Sequence, residues 1–366
     1  MTATTDNGSA AEPLPAVSVI MPVLNEERHL RTAVRHILEQ DYPGETEVVI
    51  ALGPSTDRTD EIAAELVAET ASLPDRRVRT VPNPTGRTPA ALNAAIAASG
   101  HPVVVRVDGH GMLSPDYVST AVRLLRETGA ANVGGIMHAE GENDWEHAVA
   151  AAMTSRIGVG NAAFHTGGAA GPADTVYLGV FRREVLEQQG GYNEEFVRAQ
   201  DWELNYRIRE AGGLIWFSPE LRVSYRPRPS VRALAKQYKD YGRWRRVVTR
   251  YHRGSVNLRY LAPPAALLAI AAGAVAGALL HPVGWIVPGG YLAAVVVGSV
   301  PAGKGLPVAA RARIPLALAT MHMSWGWGFL TSPRSLARKV IASRRPAPAD
   351  GGAGTAAAGA PSDTPA

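Results

Sequence analysis

The sequence predicts an α/β chain: a doubly wound, mainly parallel sheet flanked by helices, followed by a C-terminal membrane-associated helical region. Three observations predict it. Apolar runs rich in β-branched residues alternate with amphipathic stretches from Val17 to Val107, the pattern of successive βαβ units. Residues 222–259 hold twelve Lys or Arg against the single acid Asp240. Leu261 to Gly303 then contains no Asp, Glu, Lys or Arg, a run long enough for two crossings of a bilayer core.

Each element follows in order. Val17 to Leu24 is a continuous apolar run, read as a buried strand, and it stops at Asn25, Glu26 and Glu27. Leu30, Ala33, Val34, Ile37 and Leu38 then recur at helical spacing. Glu47 to Leu52 is a second strand, Asp60 to Ala71 a second helix, Val78 to Val81 a third strand, Pro89 to Ala98 a third helix and Pro102 to Val107 a fourth strand. Sheets of this kind bind ligands at the carboxyl ends of their strands.

Composition bounds the rest. With 366 residues and 46% hydrophobic content the chain builds a folded core, so disorder is not its main state. It has no cysteine, which excludes disulfides and zinc-thiolate sites. The expected division is a disordered N-terminus over 1–15, an α/β domain over 16–225, a basic interfacial region over 226–260, a transmembrane hairpin plus an interfacial or third helix over 261–345, and a disordered tail over 346–366. Met1 to Ala16 has neither a basic n-region nor an apolar h-region, so the N-terminal domain is expected in the cytoplasm.

Polar residues after the strands are the candidate site. Pro22, Asn25 and Glu26 close the first strand where a nucleotide would lie. The competing reading is a helix N-terminus with Asn25 as its cap. Ser55-Thr56-Asp57-Arg58-Thr59 follows the second strand and opens a helix whose free N–H groups face phosphate or ribose, or else is an ordinary turn. In the fourth strand the period of two puts Arg106 and Asp108 on one face, roughly 7 Å apart. A diphosphate leaving group needs its charge neutralised, and a divalent cation held by a carboxylate and phosphate oxygens does this. Asp108 is the natural anchor, with His110 as a second ligand; a plain Arg106–Asp108 ion pair is the alternative. Asp201, at the start of a helix after Gln200, is placed to take a proton from an acceptor hydroxyl as a general base, or simply caps that helix.

Taken together, Val17 to Glu27, Ser55 to Thr59, Ala91-Leu92-Asn93, Asp108 and Gly191-Tyr192 through Gln200-Asp201 occur in the order and spacing of a known family. The chain resembles the family 2 glycosyltransferases with the GT-A fold over about residues 15–250. The succinoglycan-biosynthesis glucosyltransferase type is suggested by Arg106-Val107-Asp108-Gly109-His110, Asp174 to Arg183, and Gln237-Tyr238 with Tyr241 to Trp244. The resemblance implies an inverting transfer from a nucleotide-diphosphate sugar. It implies that Pro22, Asn25, Glu26, Asp57, Arg87, Asn93 and Arg106 lie about the donor, that Asp108 holds Mg2+ or Mn2+, and that Asp201 is the base. Gln200, Gln237, Arg243 and Trp244 would lie on the acceptor side. Three departures stand out: five residues rather than two separate Gln237 from Arg243, Ala51-Leu52-Gly53 replaces an acid after the second strand, and Arg106 replaces the first member of the acid-x-acid metal motif.

The charge-free run divides at His281-Pro282 into Leu261 to Leu280 and Val283 to Val300, each near the length of a spanning helix. Basic residues before the first and after the second predict a hairpin with both ends in the cytoplasm. Ile314 to Leu330 has basic residues on both sides and is expected to lie in the interface, a third span being the alternative. The expected activity is transfer of a sugar to a lipid-linked or growing glycan acceptor at the cytoplasmic face of the inner membrane. A processive polysaccharide synthase and a nucleotide-binding membrane protein without transferase activity are the alternatives. No nucleic-acid partner is expected, because the basic stripe abuts a membrane segment and carries no nucleic-acid-binding motif.

Overall fold

A computed structural model describes residues 13–343; the expected tail over 346–366 and most of the expected disordered N-terminus lie outside the described residues. The chain begins with β1 (Val17–Val23), α1 (Leu30–Leu38), β2 (Thr46–Leu52), α2 (Thr59–Thr70), β3 (Arg76–Pro82), α3 (Thr88–Ala98) and β4 (Val103–Arg106). It continues through β5 (Met112–Leu113), α4 (Tyr117–Thr128), β6 (Asn132–Ala139), α5 (Asp144–Met153), α6 (Arg156–Val159) and α7 (Ala163–Thr166). Then come β7 (Gly171–Pro172), β8 (Tyr177–Arg182), α8 (Arg183–Gln188), α9 (Gln200–Glu210) and β9 (Ile215–Tyr225). Helices α10 (Val231–Tyr251), α11 (Ala262–Leu279), α12 (Ile286–Ala302), α13 (Val308–Arg311), α14 (Ile314–Leu330) and α15 (Arg334–Ala342) complete it.

The strands form one nine-stranded sheet in the order β3-β2-β1-β4-β8-β6-β9-β5, with β7 on β9. Strands β1 to β4 are mutually parallel. β8 lies antiparallel between β4 and β6, and β6 runs parallel to β9. The sheet is therefore mixed: β1 to β4, β6 and β9 run parallel, and β8, β5 and β7 run antiparallel to them, which the βαβ pattern does not announce.

Strand alternation builds two cores. Val17, Val19, Met21 and Val23 of β1, with Val103 and Val105 of β4, face α1, α2 and α4. Ile20 and Val104 face α3, α8 and α9 on the other side. This double cover explains why the strands read as unbroken apolar runs. Because β4 alternates, Arg106 falls on the Val104 side and emerges toward α3 and α9. That places the charged end of β4 beside Asp201.

The C-terminal helices divide by what they touch. A third apolar core joins α5, α10, α12 and α14, and α14 crosses α10 in backbone contact. A Cβ on Gly242 would stand 2.0 Å from the Trp325 carbonyl, and one on Gly328 would stand 2.0 Å from the Lys239 carbonyl. Two segments, Ala262–Leu279 and Pro282–Ala302, are long and apolar enough to cross a membrane, and only 11% of each is buried. A buried core helix of a soluble domain would be mostly covered. Leu268, Val275, Leu279, Val297 and Val300 instead point outward.

Candidate active site

The first two strand ends are sewn together. Asn25 adopts a left-handed φ of 55°, a conformation that asparagine tolerates better than most residues. Its Oδ1 accepts from the Thr56 N–H at 2.8 Å, and the Asn25 N–H donates to Ser55 Oγ at 3.0 Å. The Glu26 N–H donates to Thr59 Oγ1 at 2.8 Å, and the Glu27 N–H donates to Asp57 Oδ2 at 3.2 Å. The capping reading of Asn25 is thereby corrected: α1 starts at Leu30 after His29, and Asn25 serves the neighbouring loop instead. Asp57 also accepts from the Thr59 N–H and hydroxyl at the head of α2, and the Thr59 hydroxyl, foremost, holds its carboxyl below the usual range. Pro22 lies opposite Ala51 in the β1–β2 register, behind these loops.

Arg106 is 3% exposed and forms the centre of the site. Its Nη2 lies 3.0 Å from Asp108 Oδ1, and its Nη1 hydrogen-bonds Asp201 Oδ1. Burial works against the guanidinium charge, yet the Asp108 carboxylate prevails and holds Arg106 above its ordinary value. Its Nε has no hydrogen-bond partner. Thus the Arg106–Asp108 ion pair exists, but the pair also reaches the helix-borne carboxylate. Asp201 does not cap α9: the N-cap is Ala199, at a left-handed φ of 62°, with no side-chain cap. A non-glycine residue in that region just before Gln200 and Asp201 marks a backbone held in place by its surroundings. Gln200 itself is buried.

His110 turns toward the first strand end, with Nδ1 2.7 Å from Glu26 Oε1. That hydrogen bond, against burial and with help from the Asp108 charge, raises the imidazole above its ordinary value. Among the described residues no three His, Asp or Glu side chains converge as a metal cage. What exists is one carboxylate, Asp108, with a quarter-exposed side chain and Oδ1 engaged by Arg106. That donor set fits a hard cation completed by ligand phosphates, as Mg2+ commonly is, and not a cation enclosed by protein.

Helix α3 meets the turn before α9. The Tyr192 N–H donates to Asn93 Oδ1 at 2.8 Å, while Asn93 Nδ2 donates to the Tyr192 carbonyl at 2.9 Å and to Glu194 Oε1 at 3.0 Å. Gly191 allows this at a φ of 73°, where a Cβ would stand 2.5 Å from Asn93 Oδ1. Arg87 reaches Glu195 at 3.3 Å, and Lys339 of α15 reaches the same carboxylate at 3.1 Å. Arg87 and Asn93, expected about the donor, lie at the α3–α9 joint.

Of the residues expected on the acceptor side, Gln237, Arg243 and Trp244 lie along α10 and Gln200 opens α9. Gln237 Nε2 donates to the Tyr225 hydroxyl at 2.8 Å and the Tyr241 hydroxyl at 2.9 Å. Trp244 is buried with Phe196, Trp202, Ala337 and Val340, while the Arg243 carbonyl accepts from Ser332 Oγ. Trp244 is therefore core between α10, α15 and the start of α9.

Several site residues escape sequence reasoning. The Tyr177 and Tyr192 phenols sit close enough to feel the Arg106 and Asp108 charges; burial raises Tyr177 well above its ordinary value and pushes Tyr192 up to about 12. Glu203 is fully buried and bonded to Arg207 at 2.9 Å and to His252 at 3.3 Å. Its burial is set by the packing of α9 that brings Arg207 and His252 to it.

Comparison with known proteins agrees with this geometry. The family model described as Glycosyl transferase family 2 matches residues 18–190. The chain is 34% identical over 332 residues to the succinoglycan biosynthesis protein ExoA of Rhizobium meliloti, covering 88% of this chain and 96% of that protein. It is 25% identical over 254 residues to the dolichyl N-acetyl-alpha-D-glucosaminyl phosphate 3-beta-D-2,3-diacetamido-2,3-dideoxy-beta-D-glucuronosyltransferase of Methanococcus voltae, covering 68% of this chain and 77% of that protein. A solved mannosyltransferase from Pyrobaculum calidifontis, in complex with GDP-Man and Mn2+, shares the fold with a TM-score of 0.53 at 20% identity, covering 87% of each chain. A strand-end carboxylate facing a helix-borne carboxylate on a doubly wound sheet, with similarity along most of the chain, leads to one assignment: the chain belongs to glycosyl transferase family 2 and is a glycosyltransferase of GT-A fold.

Proposed function

We propose that the protein transfers one sugar, with inversion, from a nucleotide-diphosphate donor to a lipid-linked or growing glycan at the cytoplasmic face of the inner membrane. The observation that carries this reading is the meeting of Asp108 and Asp201 on the single buried guanidinium of Arg106. In the transfer, the acceptor hydroxyl oxygen bonds to the anomeric carbon while its proton passes to Asp201. The bond from that carbon to the diphosphate breaks, and the electron pair leaves with the nucleotide diphosphate. Arg106, with an unpartnered buried Nε, supplies positive charge where the leaving group gains negative charge. Mg2+ or Mn2+ held by Asp108 would supply further neutralisation when bound. The sewn loops of Asn25, Glu26 and Asp57, with Pro22 behind them, form the nucleotide side, and His110 orients Glu26 there or offers its free Nε2 to the cation. Arg87 and Asn93 support the donor pocket through the turn that carries α9; Gln200, Gln237, Arg243 and Trp244 shape the acceptor side.

On this reading residues 16–225 are the catalytic domain and 226–260 the basic interfacial region. The segment over 261–345 holds a hairpin of α11 and α12, with α14 lying in the interface against α10. The outward apolar faces of the hairpin support membrane attachment, and the name of the Methanococcus relative supports a lipid-linked acceptor.

The test is transfer, and donor hydrolysis, by membranes containing the protein, with a panel of nucleotide sugars, in Mg2+, Mn2+ or chelator. Asp201→Asn is expected to lower transfer by about 10²–10⁴-fold, and Asp108→Asn to weaken the response to metal. Unchanged transfer in both variants would refute the site. Thermal stabilisation by UDP against GDP selects the nucleotide.

A further inference from the structure

We infer that a groove where α10, α11 and α14 meet binds one anionic phospholipid, its phosphate on α10 and an acyl chain along α11 and α14. The inference rests on the membrane reading above and adds to it a specific ligand. The groove is shallow and open to solvent, with about 520 Å³ of space, and it brings two chemistries together. Arg232, Lys236 and Lys239 form one wall, and their spacing along α10 puts all three on one face. Leu267 of α11 with Met323 and Trp327 of α14 form the other wall.

The charge of the first wall is largely uncompensated. Lys236 shares Asp240 at 3.3 Å, while Arg232 and Lys239 have no carboxylate partner among the described residues. The second wall is apolar and open, Trp327 being 54% exposed. A free phosphate would leave that wall bare, and a neutral lipid would leave the cations unpaired. A phospholipid with net negative charge satisfies both.

The height of the groove fits a headgroup. Leu267 stands in the second turn of α11, and the start of α11 lies on α14 at Gly326, where a Cβ would be 2.7 Å from the Pro263 carbonyl. By the distribution of basic residues, that end of the hairpin is the cytoplasmic one, where anionic lipids attract cations and Trp side chains favour the interface. The groove also opens on a different flank of α10 from Gln237, whose amide faces Tyr225 of the catalytic domain. A structural lipid is therefore favoured over the acceptor.

The test is native mass spectrometry of the full chain released from mild detergent after titration with phosphatidylglycerol or phosphatidylcholine. One phosphatidylglycerol is expected to be retained at about tenfold lower lipid concentration than phosphatidylcholine, and R232Q/K236Q/K239Q to abolish that preference. Equal retention of the two lipids, or a triple variant that behaves as wild type, overturns the site. Displacement of phosphatidylglycerol by one equivalent of a polyprenyl phosphate overturns the choice of occupant. Flotation with neutral vesicles separates the two levels: wild type and triple variant both float if the hairpin inserts, whereas failure of wild type to float removes the membrane reading itself. An unchanged melting temperature in the triple variant shows that its loss of lipid is not a loss of fold.

Discussion

Arg106 Nη2 lies 3.0 Å from Asp108 Oδ1, and the same guanidinium hydrogen-bonds Asp201 from its other arm. One cation thereby joins the end of β4 to the first turn of α9, across 95 residues of sequence. Where the family has an acid-x-acid pair, this chain has a fixed positive charge and a single acid.

Removing that cation leaves the Asp108 and Asp201 carboxylates, with side chains 26% and 37% exposed, facing each other without a counter-charge. Arg106→Ala is expected to destabilise the fold by about 1–3 kcal/mol, because the carboxylates it leaves are partly solvated, and to abolish transfer. Arg106→Lys keeps the charge but not the fork, so it should fold and still transfer poorly. Thermal melts alongside transfer assays check both, and wild-type transfer by Arg106→Ala would show that the bridge has no part in the reaction.

Asn93 separates a donor contact from a joint. Its amide satisfies both the N–H and the carbonyl of Tyr192, so Asn93→Ala strands buried backbone groups at about 1–3 kcal/mol. The melting temperature should fall while donor affinity, measured by titration calorimetry below that temperature, changes less than tenfold. A stable variant that no longer binds donor would instead make Asn93 a direct ligand of the nucleotide sugar.

The α10–α14 crossing predicts an effect at two residues far from the chemistry. Adding a methyl at Gly242 or Gly328 drives it into a carbonyl oxygen of the opposite helix. Each of Gly242→Ala and Gly328→Ala should cost about 1–3 kcal/mol, read as a lower melting temperature in detergent. Gly129→Ala, where no neighbour lies within 4 Å but φ is 65°, serves as a control for conformational strain without the clash.

The pH dependence of stability should show Glu203. Burial pushes its carboxyl up, but the His252 hydrogen bond and the Arg207 charge outweigh it and hold it below the usual value. A carboxyl with a lower pKa in the folded than in the unfolded chain contributes stability above its unfolded pKa, and that contribution is lost as pH falls through the folded one. The melting temperature of wild type should therefore exceed that of Glu203→Gln near neutral pH, and the gap should close in the acid range below the ordinary carboxylate value. A gap independent of pH would assign the effect to packing.

Much of the fold was legible because strands and helices bury surface with fixed periods. Val17 to Leu24, Glu47 to Leu52 and Pro102 to Val107 match β1, β2 and β4 to within a residue or two, since a strand covered on both faces must be apolar throughout. The parity of β4 put Arg106 and Asp108 on one face, and the charge-free run marked α11 and α12, because uncharged length is what a bilayer demands. The ordered motifs were enough to identify the family. Tertiary structure alone decided the partners. Nothing local says that Arg106 reaches Asp201, that Asn25 serves Thr56 rather than its own helix, that Asn93 holds Tyr192, or that Glu203 meets His252. Nor does a βαβ pattern reveal β8 lying antiparallel between β4 and β6. Periodicity reports which face of an element is buried, whereas an ion pair or hydrogen bond depends on which distant element that face is laid against.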